Sequence, residues 1–455
     1  MLRIAVVGSG PSGVYTAQSL VDGTAAGPVP LAVDVLDRLP CPYGLVRYGV
    51  APDHEKIKSL QGGLRRVLEH DRVRFVGNVR VGDGGVPTER LRELYHAVVY
   101  CVGAARDRRL GIPGEDLAGS WSATDFVSWY SGHPDVAVRD FGLGARAAVV
   151  IGVGNVAVDV ARILARAADE LRSTDIPQEP LDALAASGVR EVHMVGRRGP
   201  AQAKFTTKEL RELGGLPGAR VTVREAELVA DPGYGDPSGL PAVARRNVAA
   251  LRDLAGRSAD RAADGAGRRI RLRFFLRPVE ILGDAAGAVR GVRFERTAPD
   301  GAGGVVGTGE PVDIEAGLVL RSVGYRGVAL PGLPFDPTGG TVPHAAGRVL
   351  RDGAPLPGAY VAGWIKRGPT GVIGSNRSCA KETAGAVLAD LPALAAREVA
   401  AGDPVAGLRS AGCEPVEWPG WLDIESAEAA LGRSLSRGTV KIADWAGLLT
   451  AARGG

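Results

Sequence analysis

Three glycines near the start of the chain have the spacing of a phosphate-binding turn. Gly8-x-Gly10-x-x-Gly13 directly follows the apolar residues 4–7. The first glycine permits a tight turn, the second lets the backbone approach a pyrophosphate, and the third lets a helix pack against the preceding strand. Backbone N–H groups at the start of that helix would then face the phosphates. Asp37 ends the next apolar run, where a carboxylate can accept both ribose hydroxyls of an adenosine. The pattern predicts a dinucleotide site.

A second glycine cluster has the same spacing later in the chain. Gly152-x-Gly154-x-x-Ala157 follows another apolar run, and alanine replaces the third glycine. The run, the turn and the apolar segment that follows predict a buried strand, a tight turn and a helix. The two clusters are too far apart for a repeat array, so they predict two separate dinucleotide-binding domains.

An arginine pair follows the strand predicted after the second cluster. Residues 189–196 form that strand, and Arg197 and Arg198 stand where an NAD-specific site would hold an acidic residue. Two guanidiniums suit a ribose 2′-phosphate through charged hydrogen bonds, so the pair predicts NADP. Arginine pairs occur elsewhere in this arginine-rich chain, and the position at a strand end decides the interpretation. The spacing requires an inserted helical segment near 165–187.

Two dinucleotide sites in one chain indicate a flavoprotein. One site would hold FAD permanently, and the other would bind the nicotinamide nucleotide that reduces it. FAD in the first site is the usual arrangement when the first motif starts the chain. The sequence therefore predicts FAD and NADP as cofactors, with Gly8, Gly10 and Gly13 on the FAD side.

The elements that position these residues are predicted to form two α/β domains. Apolar runs at 97–103 and 318–324 each end at a glycine and then turn, which suggests the two crossings between domains. The FAD-binding domain would comprise residues 1–106 and 327–455, the latter including a C-terminal extension. The NADP-binding domain, residues 107–326, would be inserted into it. Each is expected to be a Rossmann-like unit of three layers.

The composition excludes several other classes of protein. The 455 residues carry a net charge of +4 from 55 basic and 51 acidic side chains, too even for a nucleic-acid-binding protein. Cys41, Cys101, Cys379 and Cys413 are far apart, so neither a disulfide framework nor a metal site is expected. No apolar run predicts a membrane span. A strand starting at residue 3 leaves no room for a targeting peptide, and we expect a cytoplasmic protein.

Five segments carry motifs that are not generic to dinucleotide-binding domains. They are PCPYGLVRYGVAPDHEKIK at 40–58, VIGVGNVAVDVAR at 150–162, VGRRGP at 195–200, FTTKELREL at 205–213 and GWIKRGPTGVIG at 363–374. Their order and spacing resemble those of the adrenodoxin-reductase-type ferredoxin–NADP reductases, especially the bacterial members. The resemblance implies an FAD-dependent enzyme that moves hydride from NADPH to FAD and then single electrons to an acidic iron–sulfur ferredoxin. It leaves open whether that ferredoxin feeds a cytochrome P450 or iron–sulfur supply.

The resemblance also assigns cofactor contacts residue by residue. The adenosine and pyrophosphate of FAD would contact Gly8, Ser12, Asp37, Leu45 and Val79, and the isoalloxazine would contact Trp364, Gly371, Val372 and Ile373. NADP would contact Asn155 and Val156, beside Gly154 and Ala157, through its pyrophosphate, Arg197, Arg198 and Glu209 near its 2′-phosphate, and Arg108 at the domain junction. Asp37, Tyr43 and Glu55 depart from the residues usual in the family, without removing a group that the reaction needs.

Three side chains are candidates for the reaction itself. His54 is expected close to the flavin, where an imidazole can move a proton near neutral pH, the alternative being a structural or surface histidine. Asp159 would pair with His54 through water, unless it faces solvent or an arginine. Glu212 shares a helical face with Glu209, and both would approach either the nicotinamide half or the ribose. A helix starting at Thr370 would direct its N–H groups at the flavin, the alternative being a plain turn.

The residues leave the electron acceptor open. Arg65, Arg66, Arg245 and Arg246 would form a basic docking face for an acidic ferredoxin, unless they are ordinary solvated arginines. The alternative function is an NADPH-dependent diaphorase or an electron-transfer subunit with another acceptor. A disulfide reductase would need a close cysteine pair. A non-enzymatic nucleotide sensor would not need a tryptophan facing the flavin.

Overall fold

The computed structural model describes residues 1–24, 30–136, 140–260 and 267–454, with the side chains of 257–260 left out. The chain divides into two compact units. The first unit comprises Met1–Val50, His54–Arg106 and Gly324–Gly455, and the second comprises Ala51–Asp53 and Asp107–Val323. The two units meet at 106–107 and at 323–324, and the divisions predicted from the sequence are at 106–107 and 326–327. Residues 51–53, predicted in the first domain, lie in the second unit.

The strands are numbered along the chain. They are β1 (Leu2–Val7), β2 (Leu31–Leu36), β3 (Val73–Gly77), β4 (Ala97–Tyr100), β5 (Arg106–Asp107), β6 (Ser120–Ser122), β7 (Ala147–Ile151), β8 (Glu191–Val195), β9 (Ala219–Val223), β10 (Arg268–Arg273), β11 (Leu276–Gly283), β12 (Val289–Pro299), β13 (Val305–Glu315), β14 (Leu318–Arg321), β15 (Tyr325–Arg326), β16 (His344–Ala345), β17 (Arg348–Arg351), β18 (Ala354–Val361) and β19 (Val416–Glu417).

The α-helices are numbered in the same way. They are α1 (Pro11–Gly23), α2 (Leu45–Tyr48), α3 (Glu55–Lys58), α4 (Leu60–Leu68), α5 (Thr88–Leu94), α6 (Ala123–Tyr130), α7 (Asn155–Ala165), α8 (Gln178–Ala185), α9 (Thr207–Gly214), α10 (Glu225–Val229), α11 (Pro232–Gly235), α12 (Ala242–Asp260), α13 (Trp364–Arg367), α14 (Ser375–Ala389), α15 (Leu391–Ala395), α16 (Pro404–Ser410), α17 (Trp418–Ser434) and α18 (Trp445–Ala451). Short 3₁₀ turns lie at Ala168–Leu171 and Pro200–Gln202.

The described residues of the first unit form a sheet in the order β16-β17-β18-β4-β1-β2-β3-β19. The central strands from β18 to β3 are parallel, and antiparallel strands complete both edges. Side chains alternate along β1 because successive residues of a strand point to opposite faces. Ile4 and Val6 join a core with α1, α14 and α17, whereas Ala5 and Val7 join a core with α5 and α16.

The second unit has a parallel sheet in the order β6-β14-β7-β8-β10-β9. Along β7, Ala148 and Val150 pack with α6, α7 and α9 on one face. Val149 and Ile151 pack on the other face against the antiparallel strands β11, β12 and β13. The predicted α/β class is confirmed, since each unit has three layers around a largely parallel sheet. Within the described ranges, no helix is long and apolar enough to cross a membrane.

Candidate functional site

Each glycine turn lies where the strand order of its sheet reverses. β1 lies between β4 and β2, and β7 lies between β14 and β8. At such a point the loops on either side diverge, which opens a crevice at the carboxyl ends of the strands. The Gly8 N–H donates to Leu36 O at 2.7 Å, and the Gly152 N–H donates to Val195 O at 2.8 Å. Both turns are therefore anchored by the same backbone contact to the next strand.

The first turn requires glycine at two of its three positions. Gly8 has a φ of +112°, and a Cβ there would lie 2.5 Å from the backbone oxygen of Cys101. A Cβ on Gly13 would lie 1.8 Å from the oxygen of Gly8. A Cβ on Gly10 would meet only the Cα of Gly44, at an ordinary 3.8 Å. Packing within the protein therefore does not explain Gly10, whereas the close approach of a ligand does.

Asp37 stabilises the first turn. Its Oδ2 accepts hydrogen bonds from the Ser9 N–H at 2.8 Å and the Ser9 hydroxyl at 2.6 Å. Its Oδ1 accepts the Leu39 N–H at 2.9 Å. The sequence analysis did not assign this role, and any ribose hydroxyl would share these oxygens with Ser9 and Leu39. Val79, the predicted neighbour on the adenosine side, is buried and donates its N–H to Asp37 O at 2.8 Å.

The loop of residues 40–49 lies directly against the first turn. A Cβ on Gly44, which has a φ of +48°, would be 2.9 Å from the Cα of Gly10. The Tyr43 N–H donates to Ser9 O at 3.2 Å. Leu45 begins α2 and is 43% exposed. The loop therefore presents the predicted contact Leu45 at the surface next to the glycine turn.

Ser12 and the start of α13 lie together. The Ser12 Oγ is buried and makes no hydrogen bond to a nitrogen or oxygen of the described residues. A Cβ on Gly363 would lie 2.5 Å from it, so the backbone before Trp364 approaches Ser12 closely. The Trp364 ring stacks on Tyr325, with centroids 5.5 Å apart and planes 27° apart. The structure thus brings a residue predicted for the pyrophosphate close to one predicted for the isoalloxazine.

The segment after α13 corrects one expectation. The predicted helix does not start at Thr370, because Gly371 has a φ of +83°, outside the helical region. The helix α14 starts at Ser375, and the preceding residues form a turn. Val372 in that turn is 56% exposed, whereas Ile373 is half-buried against the core. Residues 370–373 therefore form a partly exposed turn, and no helix N-terminus lies at Thr370.

His54 is buried at the start of α3. Only 7% of it is exposed, and its carbonyl accepts the N–H groups of Ile57 and Lys58 at 3.0 Å each. These bonds fix the backbone on which the imidazole stands. Of the two alternatives in the sequence analysis, a surface histidine does not match this burial.

The second turn has the same strain at its first glycine and more space at its third position. Gly152 has a φ of +143°, and a Cβ there would be 2.1 Å from Ser322 O. A Cβ on Gly154 would have nothing within 4 Å. Ala157 fits its methyl into the core and is fully buried, while Val156 is half-buried at the start of α7. Gly154 therefore leaves open space at the helix start.

Asn155 connects the second turn to α9. Its Oδ1 accepts the Thr206 N–H at 2.8 Å, and the Thr206 hydroxyl accepts the Glu209 N–H at 3.3 Å as a helix cap. Glu209 is 6% exposed. The structure therefore joins Asn155 and Glu209 through Thr206, which the sequence analysis missed. Glu212 is exposed one turn further along α9, and its carboxylate lies 3.5 Å from the Lys208 Nζ.

Arg197 and Arg198 follow β8 with their backbone fixed and their guanidiniums available. Arg197 O accepts the Thr297 hydroxyl at 2.8 Å, and Arg198 O accepts the Phe275 N–H at 3.3 Å. Arg197 is exposed and Arg198 half-buried. Neither guanidinium forms an ion pair or hydrogen bond with any residue in the described ranges. Both cations are therefore free to bind an anion at the carboxyl edge of the sheet.

Asp159 faces an arginine. The Arg162 guanidinium donates to Asp159 Oδ1 at 2.6 Å and also pairs with Asp53. Arg166 donates to the same Asp53 carboxylate at 2.5 Å. This network explains why residues 51–53 belong to the second unit. Arg108 is exposed on the surface of that unit.

The arginines predicted for docking differ in their freedom. Arg245 and Arg246 are exposed on α12, and neither forms a side-chain ion pair within the described ranges. In the first unit Arg66 is exposed, but Arg65 pairs with Glu69 at 2.8 Å and Glu425 at 2.9 Å. Arg65 is therefore held by the fold rather than available as a free cation.

The residues present fit two dinucleotides. In the first unit, the buried Ser12 hydroxyl has no nitrogen or oxygen partner among the described residues, and no contact in the described ranges requires a glycine at position 10. In the second unit, Gly154 leaves open space at the start of α7, and the guanidiniums of Arg197 and Arg198 have no partner in the described part of the chain. The carboxylate of Asp37 lies at the first turn, whereas the guanidiniums of Arg197 and Arg198 follow the strand next to the second turn. The second set suits a nucleotide with an additional phosphate.

Comparisons with known proteins show what the whole chain is similar to. Residues 2–213 match the family model described as pyridine nucleotide-disulphide oxidoreductase. Over 460 residues, the chain is 45% identical to the NADPH-ferredoxin reductase FprA of Mycobacterium tuberculosis, covering 98% of each protein. It is 39% identical over 465 residues to the mitochondrial NADPH:adrenodoxin oxidoreductase of Arabidopsis thaliana, covering 99% of this chain and 95% of that one. The solved structure of M. tuberculosis FprA in complex with NADPH superposes with a TM-score of 0.91 at 44% identity, covering 100% of both chains.

Proposed function

This chain belongs to the family of adrenodoxin-reductase-type NADPH–ferredoxin reductases, and we propose that it oxidises NADPH through FAD and reduces an iron–sulfur ferredoxin. The observation that carries the proposal is the pair of glycine turns with opposite charge at the following strand ends. Asp37 belongs to the first turn, and Arg197 and Arg198 follow the strand next to the second. FAD is proposed for the first unit and NADP for the second.

FAD supplies the redox chemistry, because it accepts a hydride and can release electrons singly. The first unit is proposed to bind its pyrophosphate at Gly8, Gly10 and Ser12, with Leu45 and Val79 on the adenosine side. Trp364 and residues 371–373 are proposed to line the isoalloxazine. The stacking of Trp364 on Tyr325 holds the indole in one orientation and supports this role.

The second unit is proposed to orient NADP. Arg197 and Arg198 would bind the 2′-phosphate, supported by their lack of other partners in the described ranges. Asn155, Val156 and Ala157 would lie beside the pyrophosphate at the start of α7. Glu209 and Arg108 are proposed as further NADP contacts. The burial of Glu209 and the hydrogen bond from its backbone N–H to the Thr206 hydroxyl support a fixed position.

His54 is the strongest of the proposed catalytic residues. Its burial and fixed backbone support a role in holding or moving a proton near the flavin. Asp159 is proposed to pair with His54 through water, but this role has less support because the Asp159 carboxylate already pairs with Arg162. Glu212 has the least support, since it is exposed and lies next to Lys208.

An acidic ferredoxin is proposed as the electron acceptor. The exposed Arg245 and Arg246 support electrostatic docking in the second unit, and Arg66 supports it in the first. A cytochrome P450 supplied by that ferredoxin is a further proposal. We also propose a cytoplasmic location, which the four free cysteines support, because such thiols are typical of reducing compartments.

Thiol chemistry has little support as a competing function. Burial raises the pKa of Cys41 to about 11 and that of Cys101 to about 12, so both remain protonated thiols. A diaphorase that passes electrons to a non-ferredoxin acceptor remains the second candidate. Such an enzyme would use the same proposed FAD and NADP sites and would differ only in its acceptor.

A reduction assay with purified protein separates these candidates. Flavin released by heating should be FAD, and NADPH should reduce a [2Fe–2S] ferredoxin that then reduces cytochrome c. The expected result is that omitting the ferredoxin abolishes most of the cytochrome c reduction. Equal reduction of a dye with no transfer to ferredoxin would favour the diaphorase, and the absence of FAD would contradict the proposal.

A further inference from the structure

Three buried charged side chains lie together in the first unit, outside the contacts assigned above. Arg47, Glu428 and Lys441 are 5%, 2% and 3% exposed. The Arg47 guanidinium donates to Glu428 Oε1 at 2.5 Å, and the Lys441 Nζ donates to Arg47 O at 2.8 Å. The residues of the first pair are 381 positions apart in sequence. We call these three residues the buried charge cluster.

Aromatic rings enclose the buried charge cluster. The Arg47 guanidinium lies 5.0 Å from the ring centroids of both Tyr48 and Trp421, a distance at which a cation is attracted to the ring face. Glu428 Oε1 also accepts the Ile442 N–H at 2.9 Å. The carboxylate thus holds Arg47 and the backbone of the C-terminal segment at the same time.

The cluster supports the loop that touches the first glycine turn. The Arg47 N–H donates to Gly44 O at 3.0 Å, and Gly44 is the residue whose backbone contacts Gly10. Tyr43, on the other side of Gly44, packs edge-on against Trp421 with centroids 5.8 Å apart. Gly44 is therefore held through the backbone N–H of Arg47, and its neighbour Tyr43 is held by the aromatic enclosure of the cluster.

We infer that Arg47, Glu428 and Lys441 are positioning residues for FAD: Glu428 on helix α17 and Lys441 in the segment after it hold Arg47, and through Arg47 they fix the loop of residues 40–49 against the glycine turn. The inference rests on the proposed function, since it takes FAD as the ligand of the first unit. Residues 418–442 then determine how tightly FAD is retained, although none of the predicted FAD contacts lies among them.

Dissociation of FAD from the holoenzyme tests the inference. Wild type and Glu428→Gln are diluted, and the rise in free flavin fluorescence gives the dissociation constant. Glu428→Gln should raise that constant at least ten-fold, because Arg47 loses its charged partner while the side chain keeps its size. Glu428→Asp, which keeps the carboxylate, should recover part of the affinity. Far-UV circular dichroism at the same temperature reports whether each variant is folded.

Glu425→Gln is the matched control. Glu425 lies on the same helix, is half-buried, and forms its ion pair with Arg65; within the described ranges it makes no hydrogen bond to Arg47. Its substitution should leave FAD retention unchanged. If Glu428→Gln does not fold, Lys441→Met removes the hydrogen bond to Arg47 O and should weaken FAD binding at least three-fold. A folded Glu428→Gln, or in its place a folded Lys441→Met, with wild-type affinity for FAD would overturn the inference alone. A wild-type protein that binds no FAD would overturn the proposed function as well.

Discussion

The two glycine turns share a backbone design and differ in the charge beside it. At both, the first glycine has a positive φ, and a Cβ would strike a backbone oxygen, 2.5 Å away at Gly8 and 2.1 Å away at Gly152. At the first turn a carboxylate, Asp37, accepts hydrogen bonds from the turn itself. At the second, β8 leads to Arg197 and Arg198, whose guanidiniums have no partner among the residues that the structure describes. In the proposed assignment, the turn binds the phosphates in both units, while the end of the next strand selects the nucleotide.

Substitution at the third position of the glycine motif, Gly13 in the first turn and Ala157 in the second, should give the largest difference in stability between the two turns. Gly13→Ala would place a Cβ 1.8 Å from Gly8 O, so we expect a loss of at least ~3 kcal/mol in the free energy of unfolding and loss of bound FAD. Ala157→Gly at the matching position should cost only about 1 kcal/mol, which is the usual cost of glycine relative to alanine within a helix. Urea unfolding and the flavin content of the purified variants measure both effects. Full retention of FAD by Gly13→Ala would break the comparison.

The arginine pair should control the choice between NADPH and NADH. Removing both guanidiniums in Arg197→Ala/Arg198→Ala should raise the KM for NADPH at least ~100-fold, since each charged hydrogen bond contributes about 1.5–3 kcal/mol. The KM for NADH should stay nearly constant. Steady-state kinetics with a dye acceptor provides the measurement.

Arg269→Ala is a suitable control for that pair. Arg269 is exposed in β10 and pairs in register with Glu191 at the start of β8, so it lies toward the opposite end of the strands. Its loss should leave both KM values unchanged. A similar rise in KM for NADPH and NADH in the double variant would contradict the assignment of the 2′-phosphate.

Asp37 should matter for FAD mainly through the turn it stabilises. Asp37→Asn replaces one acceptor oxygen by an NH₂ group and should lose a hydrogen bond from Ser9 or Leu39, which is about 1–1.5 kcal/mol. The dissociation constant of FAD should therefore rise roughly ten-fold. Fluorescence titration measures it, with Asp390→Asn, whose carboxylate pairs with Arg348, as the control. Unchanged FAD affinity in Asp37→Asn would exclude this role.

The strand beside the second turn should also make the fold sensitive to acid. β8 carries the buried His193. Burial lowers the pKa of His193 to about 4, and this outweighs Glu191, which raises it. The unfolded chain therefore binds a proton below its ordinary pKa of 6.5 while the folded chain does not, so stability is lost as the pH falls from about 6.5 toward 4.

A substitution at His193 isolates this acid effect. His193→Gln should reduce the fall in Tm between pH 7.5 and 5.5 by about 2–4 °C relative to wild type. Differential scanning calorimetry at both pH values measures it. An identical fall in both proteins would show that the protonation of His193 does not destabilise the folded state.

The two glycine turns and the residues that follow them could be predicted from the sequence, because each depends on a short local pattern. A short apolar run followed by spaced glycines identifies a strand, a turn and a helix without tertiary information, and Arg197 follows its strand directly. The start of α14 was wrong by five residues, from Thr370 to Ser375, because the φ of Gly371 depends on a turn that no local pattern specifies.

Long-range contacts lay beyond sequence patterns. The bonds from Ser9 to Asp37 join residues 28 apart, and the pair of Asp53 with Arg162 joins residues 109 apart. The contact between Arg47 and Glu428 depends on a C-terminal helix with little amphipathic pattern of its own. Such contacts form only when the whole unit has packed, so residue type and spacing alone do not reveal them.

Anaerobic rapid mixing of the holoenzyme with NADPH and, separately, with NADH tests the central claim most directly. The account predicts fast bleaching of the flavin absorbance with NADPH, slow bleaching with NADH, and loss of that difference in Arg197→Ala/Arg198→Ala. Equal rates with both nucleotides in the wild type would contradict the selection of NADP by the arginine pair. No bleaching with either would contradict the reductase itself.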